Sequence, residues 1–147
     1  MLKPGAGSRR GAHAVEFAFV ASIFLMFVFG VLEYGRLVFT RQVVINAARE
    51  GARYAVVNIT DATIVTDTQN YVKTMMAGQT SMVTNYNCQV YMADNTGKNI
   101  GAAGNAAFGQ YVAVQIDCDY SSLLPSFLLM NQTFKLNSKA MMFSEAN

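Results

Sequence analysis

Of the 147 residues, 52% are hydrophobic and only 14% charged, and the formal net charge is +2. This balance excludes a disordered polyelectrolyte and leaves no basic patch for nucleic acid. The charges are unevenly placed: residues 1–57 hold seven Lys and Arg against three Glu, and residues 58–147 hold four Lys against six Asp and Glu.

Residues 1–11, MLKPGAGSRRG, form a basic leader through Lys3, Arg9 and Arg10. Behind it runs AHAVEFAFVASIFLMFVFGVL, in which the sixteen residues between Glu16 and Glu33 carry neither charge nor Pro. In a helix, Ala12 to Leu32 reaches about 30 Å, the thickness of a hydrocarbon core. The stretch therefore predicts a transmembrane helix over about 12–33, with the basic end held in the cytoplasm. Arg36, Arg41 and Arg49 follow the span closely, so the charge rule alone does not settle orientation. Glu16 is the exception within the run, since a carboxylate at that depth costs on the order of 2–3 kcal/mol unless it finds a partner.

A secretory signal would place small residues after its apolar core, but this core runs into Glu33, Tyr34 and Arg36. A twin-arginine signal could use Ser8, Arg9 and Arg10, yet the residues that follow are unsuitable and the span is too hydrophobic. Gly11 followed by AHAVE and then Phe17 resembles a type IV prepilin processing site, which a membrane aspartyl prepilin peptidase cuts after the Gly. The resemblance implies a cut between Gly11 and Ala12, making Ala12 the mature N-terminus. Its new α-amine and the Glu16 carboxylate would each supply the counter-charge the other needs. In type IV pilins such a pairing with a neighbouring helix guides assembly, and Glu16 beside Phe17 takes that role by resemblance. The alternative reading has Glu16 near the interface, reaching toward Arg9, Arg10 or His13.

The helical pattern continues to about Val57 without Pro. At 100° per residue, Ala47, Ala48, Gly51, Ala52 and Ala55 share an arc of roughly 140°, flanked by Val44 and Ile45, while Gln42, Asn46, Arg49 and Arg53 lie opposite. A face of small residues lets another backbone approach closely. It is expected to receive the chain's own sheet, with a neighbouring helix as the alternative. Glu33–Arg36 and Glu50–Arg53 read as weak i,i+3 pairs on the exposed side.

AVEFAFV, FGVLEYGRLVFTRQ and NAAREGARYAV, in that order and spacing, resemble the TadE-like family, pseudopilins of the tight-adherence (Flp-type) pilus machinery. The strong likeness covers about residues 9–57. A weaker one covers the end, where VAVQI, a Leu-Leu-Pro loop and a last strand ending in Met-Met-Phe follow the family's layout. Members often carry a Pro early in the span where this chain has Ser22, so a straighter helix is expected here. The resemblance implies a bacterial inner-membrane protein with one span and an extracytoplasmic C-terminal domain. Its implied partners are a prepilin peptidase, other pilins or pseudopilins through the N-terminal helix, the pilus assembly platform and membrane lipid.

Residues 58–147 suggest one small α+β domain. Thr60 or Asp61 can cap a second helix, with Ile64, Thr68, Tyr71, Val72 and Met75 as its stripe and Gly78 as its end. Tyr86 to Ala93, Tyr111 to Asp119 and Thr133 to Phe143 alternate as strands, predicting a three-stranded antiparallel sheet in a pilin-like layout. DNTGKN reads as a turn and the Gly/Ala/Asn stretch through Gln110 as a loop. LLPSFLLM, residues 123–130, is too short to span a bilayer and either covers the sheet end or presents a patch to a partner or membrane surface. Cys88 and Cys118 fall beyond the span on the apolar faces of their strands, which predicts one disulfide.

The sequence has no Ser/His/Asp set, no metal-ligand cluster and no phosphate-binding loop, and the pair Asp117 and Asp119 reads as a solvated edge. No cofactor is expected, and the role expected is structural rather than enzymatic. The chain is read as a pseudopilin or minor pilin, with an uncleaved single-pass protein bearing an extracytoplasmic binding domain as the alternative.

Overall fold

The computed structural model describes residues 7–122 and 133–144, with side chains from residue 11 onward. Helix α1, Gly7–Val57, is one uninterrupted run of 51 residues, about 75 Å at 1.5 Å per residue. No proline interrupts it, and Ser22 Oγ donates back to the Ala18 carbonyl at 2.8 Å. This back-bond occupies the hydroxyl where lipid or protein would otherwise leave it unpaired.

Helix α2, Ile64–Met75, follows a short turn. Thr63 occupies its N-cap position, and the Thr63 hydroxyl donates to the Asp67 carboxylate at 2.6 Å. The start therefore lies later than Thr60 or Asp61. Its inward stripe runs Ile64, Thr68, Val72 and on to Met76, all buried, while Met75 is 44% exposed. The strict i,i+4 spacing of that stripe replaces Met75 with Met76. Gly78 follows at φ +90, a conformation that glycine adopts without strain.

The sheet is antiparallel, with order β2-β1-β3-β4: β1 Val83–Ala93, β2 Asn99–Ala102, β3 Tyr111–Tyr120 and β4 Phe134–Phe143. It has four strands where alternation predicted three. The extra strand, β2, is four residues of Asn, Ile, Gly and Ala, too short and too weakly patterned to show in a hydropathy reading. Its pairing is set by the hairpin turn. Asp94 Oδ1 accepts from the Thr96 and Lys98 backbone N–H groups at 2.8 and 2.9 Å, and Gly97 supplies φ +81.

The main core joins α1, α2 and the sheet. Ala47, Ala48, Ala52 and Ala55 of α1 pack with Ile64, Val72 and Met76 of the α2 region and with Val90, Val112, Val114 and Ile116 of the sheet. Tyr54 of α1 stacks on Tyr71 of α2 with ring centroids 4.7 Å apart. At Gly51 a Cβ would stand 2.4 Å from Val72 Cγ2, so the approach of α2 to α1 depends on the missing side chain.

The predicted disulfide is not formed: Cys88 and Cys118 are both free and buried. The ladder pairs Cys88 with Ile116, and a bulge at Asn85 and Tyr86 displaces β1 opposite Cys118. The two thiols thus occupy a diagonal on neighbouring strands. Diagonal positions are separated by about 7–8 Å, wider than the Cα spacing that a disulfide spans. Burial pushes both thiols up, Cys118 to about 11 with help from Asp119 and Asp117. The expectation for LLPSFLLM lies outside the described residues.

The exposed helix as a candidate functional site

The first half of α1 stands clear of the domain. None of its most apolar 18-residue window is buried within the protein, and Phe17 is 73% exposed and Phe27 71%. About ten such side chains held in water would forgo on the order of 20 kcal/mol of burial, more than a small domain's whole stability. The helix is therefore long and apolar enough to cross a membrane, and its surface needs lipid or other protein around it.

Glu16 and His13 share one side of this helix, and His13 Nδ1 lies 3.8 Å from Glu16 Oε2. Both side chains are open to the surroundings. The arrangement gives Glu16 a polar neighbour on its own helix, one turn back and beyond hydrogen-bond distance. Among the described residues, nothing outside its own helix turn lies within 4 Å of where a Cβ on Gly11 would stand. The structure thus places Gly11, Ala12, Glu16 and Phe17 together along one exposed end of α1, while Ala47, Ala48, Gly51, Ala52 and Ala55 lie at its other end, buried against α2 and the sheet.

Where the two halves of α1 meet, the chain builds a polar junction. Glu33 is buried, and Oε1 accepts a 2.7 Å hydrogen bond from the hydroxyl of Tyr120, itself fully buried at the end of β3. Arg36 Nη1 lies 3.5 Å from Glu33 Oε2. One turn farther on, buried Thr40 donates to Gln79 at 3.4 Å, tying the helix to the loop after α2. Burial, then the hydrogen bond to the Glu33 carboxylate, pushes the Tyr120 hydroxyl up to about 12, so it stays a donor throughout the neutral range.

Sequence reasoning found the Glu33–Arg36 pair but placed it on the wet side. Its tyrosine partner lies 87 residues away, and no local pattern reveals that distance. The only available signal was a lone acid at the end of a long apolar run, since such an acid needs a partner.

Among the described residues no group of three or more His, Cys, Asp or Glu could hold a metal ion. Asp117 accepts from Gln115 and Asn137, and Asp119 from Asn85, so both are tied into the outer face of the sheet.

Residues 11–53 match the family model of TadE-like proteins. The match runs from Gly11 through the exposed half of α1 and the Glu33 junction to the small-residue face. It supports involvement in assembly of a tight-adherence pilus and association with pilus components. No curated protein and no solved structure matches the chain.

Proposed function

We propose that this chain is a pseudopilin or minor pilin that is inserted in the bacterial inner membrane, cut after Gly11 by a prepilin peptidase, and used to assemble or prime a tight-adherence pilus. The observation that carries the proposal is the coincidence of the family match, residues 11–53, with a helix whose most apolar stretch is left unburied by its own domain. An element left so uncovered suits lateral packing, first with lipid and then with the helices of other pilins. The role is structural and needs no cofactor.

In this reading the N-terminus starts in the cytoplasm, the domain from residue 58 onward is extracytoplasmic, and the assembly platform receives the processed helix. Cleavage removes Lys3, Arg9 and Arg10 and creates an amine at Ala12, one turn from Glu16. That amine brings a new positive charge beside the carboxylate that His13 neighbours in the uncut chain.

A second reading draws on the His13–Glu16 contact itself. An uncut chain already offers Glu16 a partner, so a single-pass anchor carrying a binding domain is also self-consistent. Intact mass of the protein made with and without an active prepilin peptidase separates the two. Loss of residues 1–11 only with the peptidase supports processing, and retention of the full chain in its presence supports the anchor.

A further inference from the structure

We propose that the domain's membrane-facing rim, formed by α1 just above the span and the first residues of β4, seats the phosphate of an anionic phospholipid. The inference rests on α1 being membrane-inserted and goes beyond the pilus assignment. Three observations carry it.

The first is position. Tyr120 closes onto Glu33 at the top of the apolar run, and the ladder pairs Tyr120 with Phe134, so β4 begins beside that same level of α1. The domain thus comes down along the helix to where the span ends. Past Glu33 the helix still exposes apolar bulk at this level, with Tyr34 67% and Phe39 57% exposed.

The second is shape and charge. A pocket of about 420 Å³ opens between α1 and β4, lined by Leu37, Arg41, Val44 and Ile45 on one side and by residues 134–138 of β4, from Phe134 and Lys135 to Asn137 and Ser138, on the other. Arg41 and Lys135 are both exposed, and neither side chain makes a hydrogen bond or ion pair among the described residues. The acids nearby are engaged. Glu33 is held by Tyr120 and Arg36, and Asp119, opposite Lys135 in the ladder, accepts from Asn85 on the other flank of β3. Two available cations, with apolar Leu37 and Phe134 on their membrane side, fit a headgroup phosphate with its first acyl carbons below it.

The third is reach. Arg41 stands nine residues above Leu32, about 13 Å along the axis, and the headgroup layer adds roughly 5–7 Å to each side of the hydrocarbon. Helical side chains lean toward the N-terminus, which here is toward the membrane, and an arginine extends several ångströms along that direction. Its guanidinium therefore arrives at phosphate level.

The chain contains no tryptophan, which permits a test on the full-length protein in vesicles of phosphatidylcholine, with or without phosphatidylglycerol, brominated both high on the acyl chain and near its end. Single tryptophans replace Phe24 in the span, Phe134 at the rim, or Phe143, nine residues along β4 and about 30 Å from Phe134. Leu37→Trp serves as a second rim reporter should Phe134→Trp fold poorly. The expectation is strong quenching at 24, quenching at the rim roughly twofold or more above that at 143, and loss of the rim excess in an Arg41→Gln/Lys135→Gln double variant or without phosphatidylglycerol. Quenching at 24 with rim quenching no greater than at 143 overturns the proposal. Rim quenching indifferent to both the double variant and phosphatidylglycerol overturns the phosphate site. An unquenched tryptophan at 24 overturns the membrane reading beneath it.

Discussion

Tyr120 donates its hydroxyl to Glu33 across 87 residues of sequence, a 2.7 Å bond that fixes the end of β3 against the helix at the top of the apolar run. Tyr120→Phe leaves a buried carboxylate oxygen without that donor and should destabilise the domain by about 1–3 kcal/mol. Chemical denaturation in detergent, followed by circular dichroism, measures it. The pH dependence carries a second signature. The tyrosine's folded pKa, about 12, lies above its ordinary value of 10. Its stabilising contribution is therefore complete below pH 10 and is lost as pH climbs through 12. The wild-type midpoint should fall over that window, with a smaller fall in Tyr120→Phe.

Gly51 provides a test of the close approach between α1 and α2. A Cβ there meets Val72 Cγ2 at 2.4 Å and Val114 Cγ1 at 3.4 Å, both in the core. Gly51→Ala should cost about 1–3 kcal/mol through overpacking, despite alanine's better helix propensity. Gly35→Ala, where nothing stands within 4 Å, should be neutral or stabilise the helix by up to about 1 kcal/mol. Opposite signs in the two denaturation midpoints support the packing argument, and equal shifts refute it.

Thr68 is fully buried and its hydroxyl has no partner among the described residues. Thr68→Val keeps the shape and removes the polar atom. It should stabilise the fold by about 1 kcal/mol, read as a higher denaturant midpoint.

The two thiols should resist alkylation in the folded protein. Cys88 and Cys118 are buried and held mostly as neutral thiols, with Cys118 pushed up to about 11, and the thiolate is the reactive form. Mass spectrometry after iodoacetamide should show no adducts at pH 7 in the native state and two after unfolding without reductant. A protein that gains adducts only after reduction carries the disulfide that the strand register argues against.

At the other end of the chain, Gly11→Leu should block processing and leave the mass of the full chain in the presence of the peptidase. Glu16→Ala should leave the domain's unfolding midpoint unchanged, within about 0.5 kcal/mol, because the side chain is exposed and far from the core. It should lower incorporation into pili, scored by the pilin content of sheared fibres. Unchanged incorporation would return Glu16 to a simple contact with His13.

Much of this fold was legible because helical and strand periods are strong in long segments. The 3.6-residue pattern carried α1 to Val57, and alternation located β1, β3 and β4 to within a few residues. What escaped the sequence depends on contacts between segments. β2 exists because Asp94 and Gly97 shape a hairpin that lays a nearly featureless tetrapeptide against β1. The cysteines occupy the right faces but the wrong register, since one bulge at Asn85 and Tyr86 shifts the pairing. Glu33 looked like half of a surface ion pair until β3 ended beside it. The exposed end of the candidate site, Gly11 to Phe17, was legible as a short motif, whereas Arg41 and Lys135 meet only after the sheet has folded.

The unbroken α1 has one further mechanical result. Because the same rod that emerges from the apolar zone also forms the floor of the sheet, no hinge separates the two. A twist applied at the Gly11 end is expected to pass along that helix to the sheet it packs against.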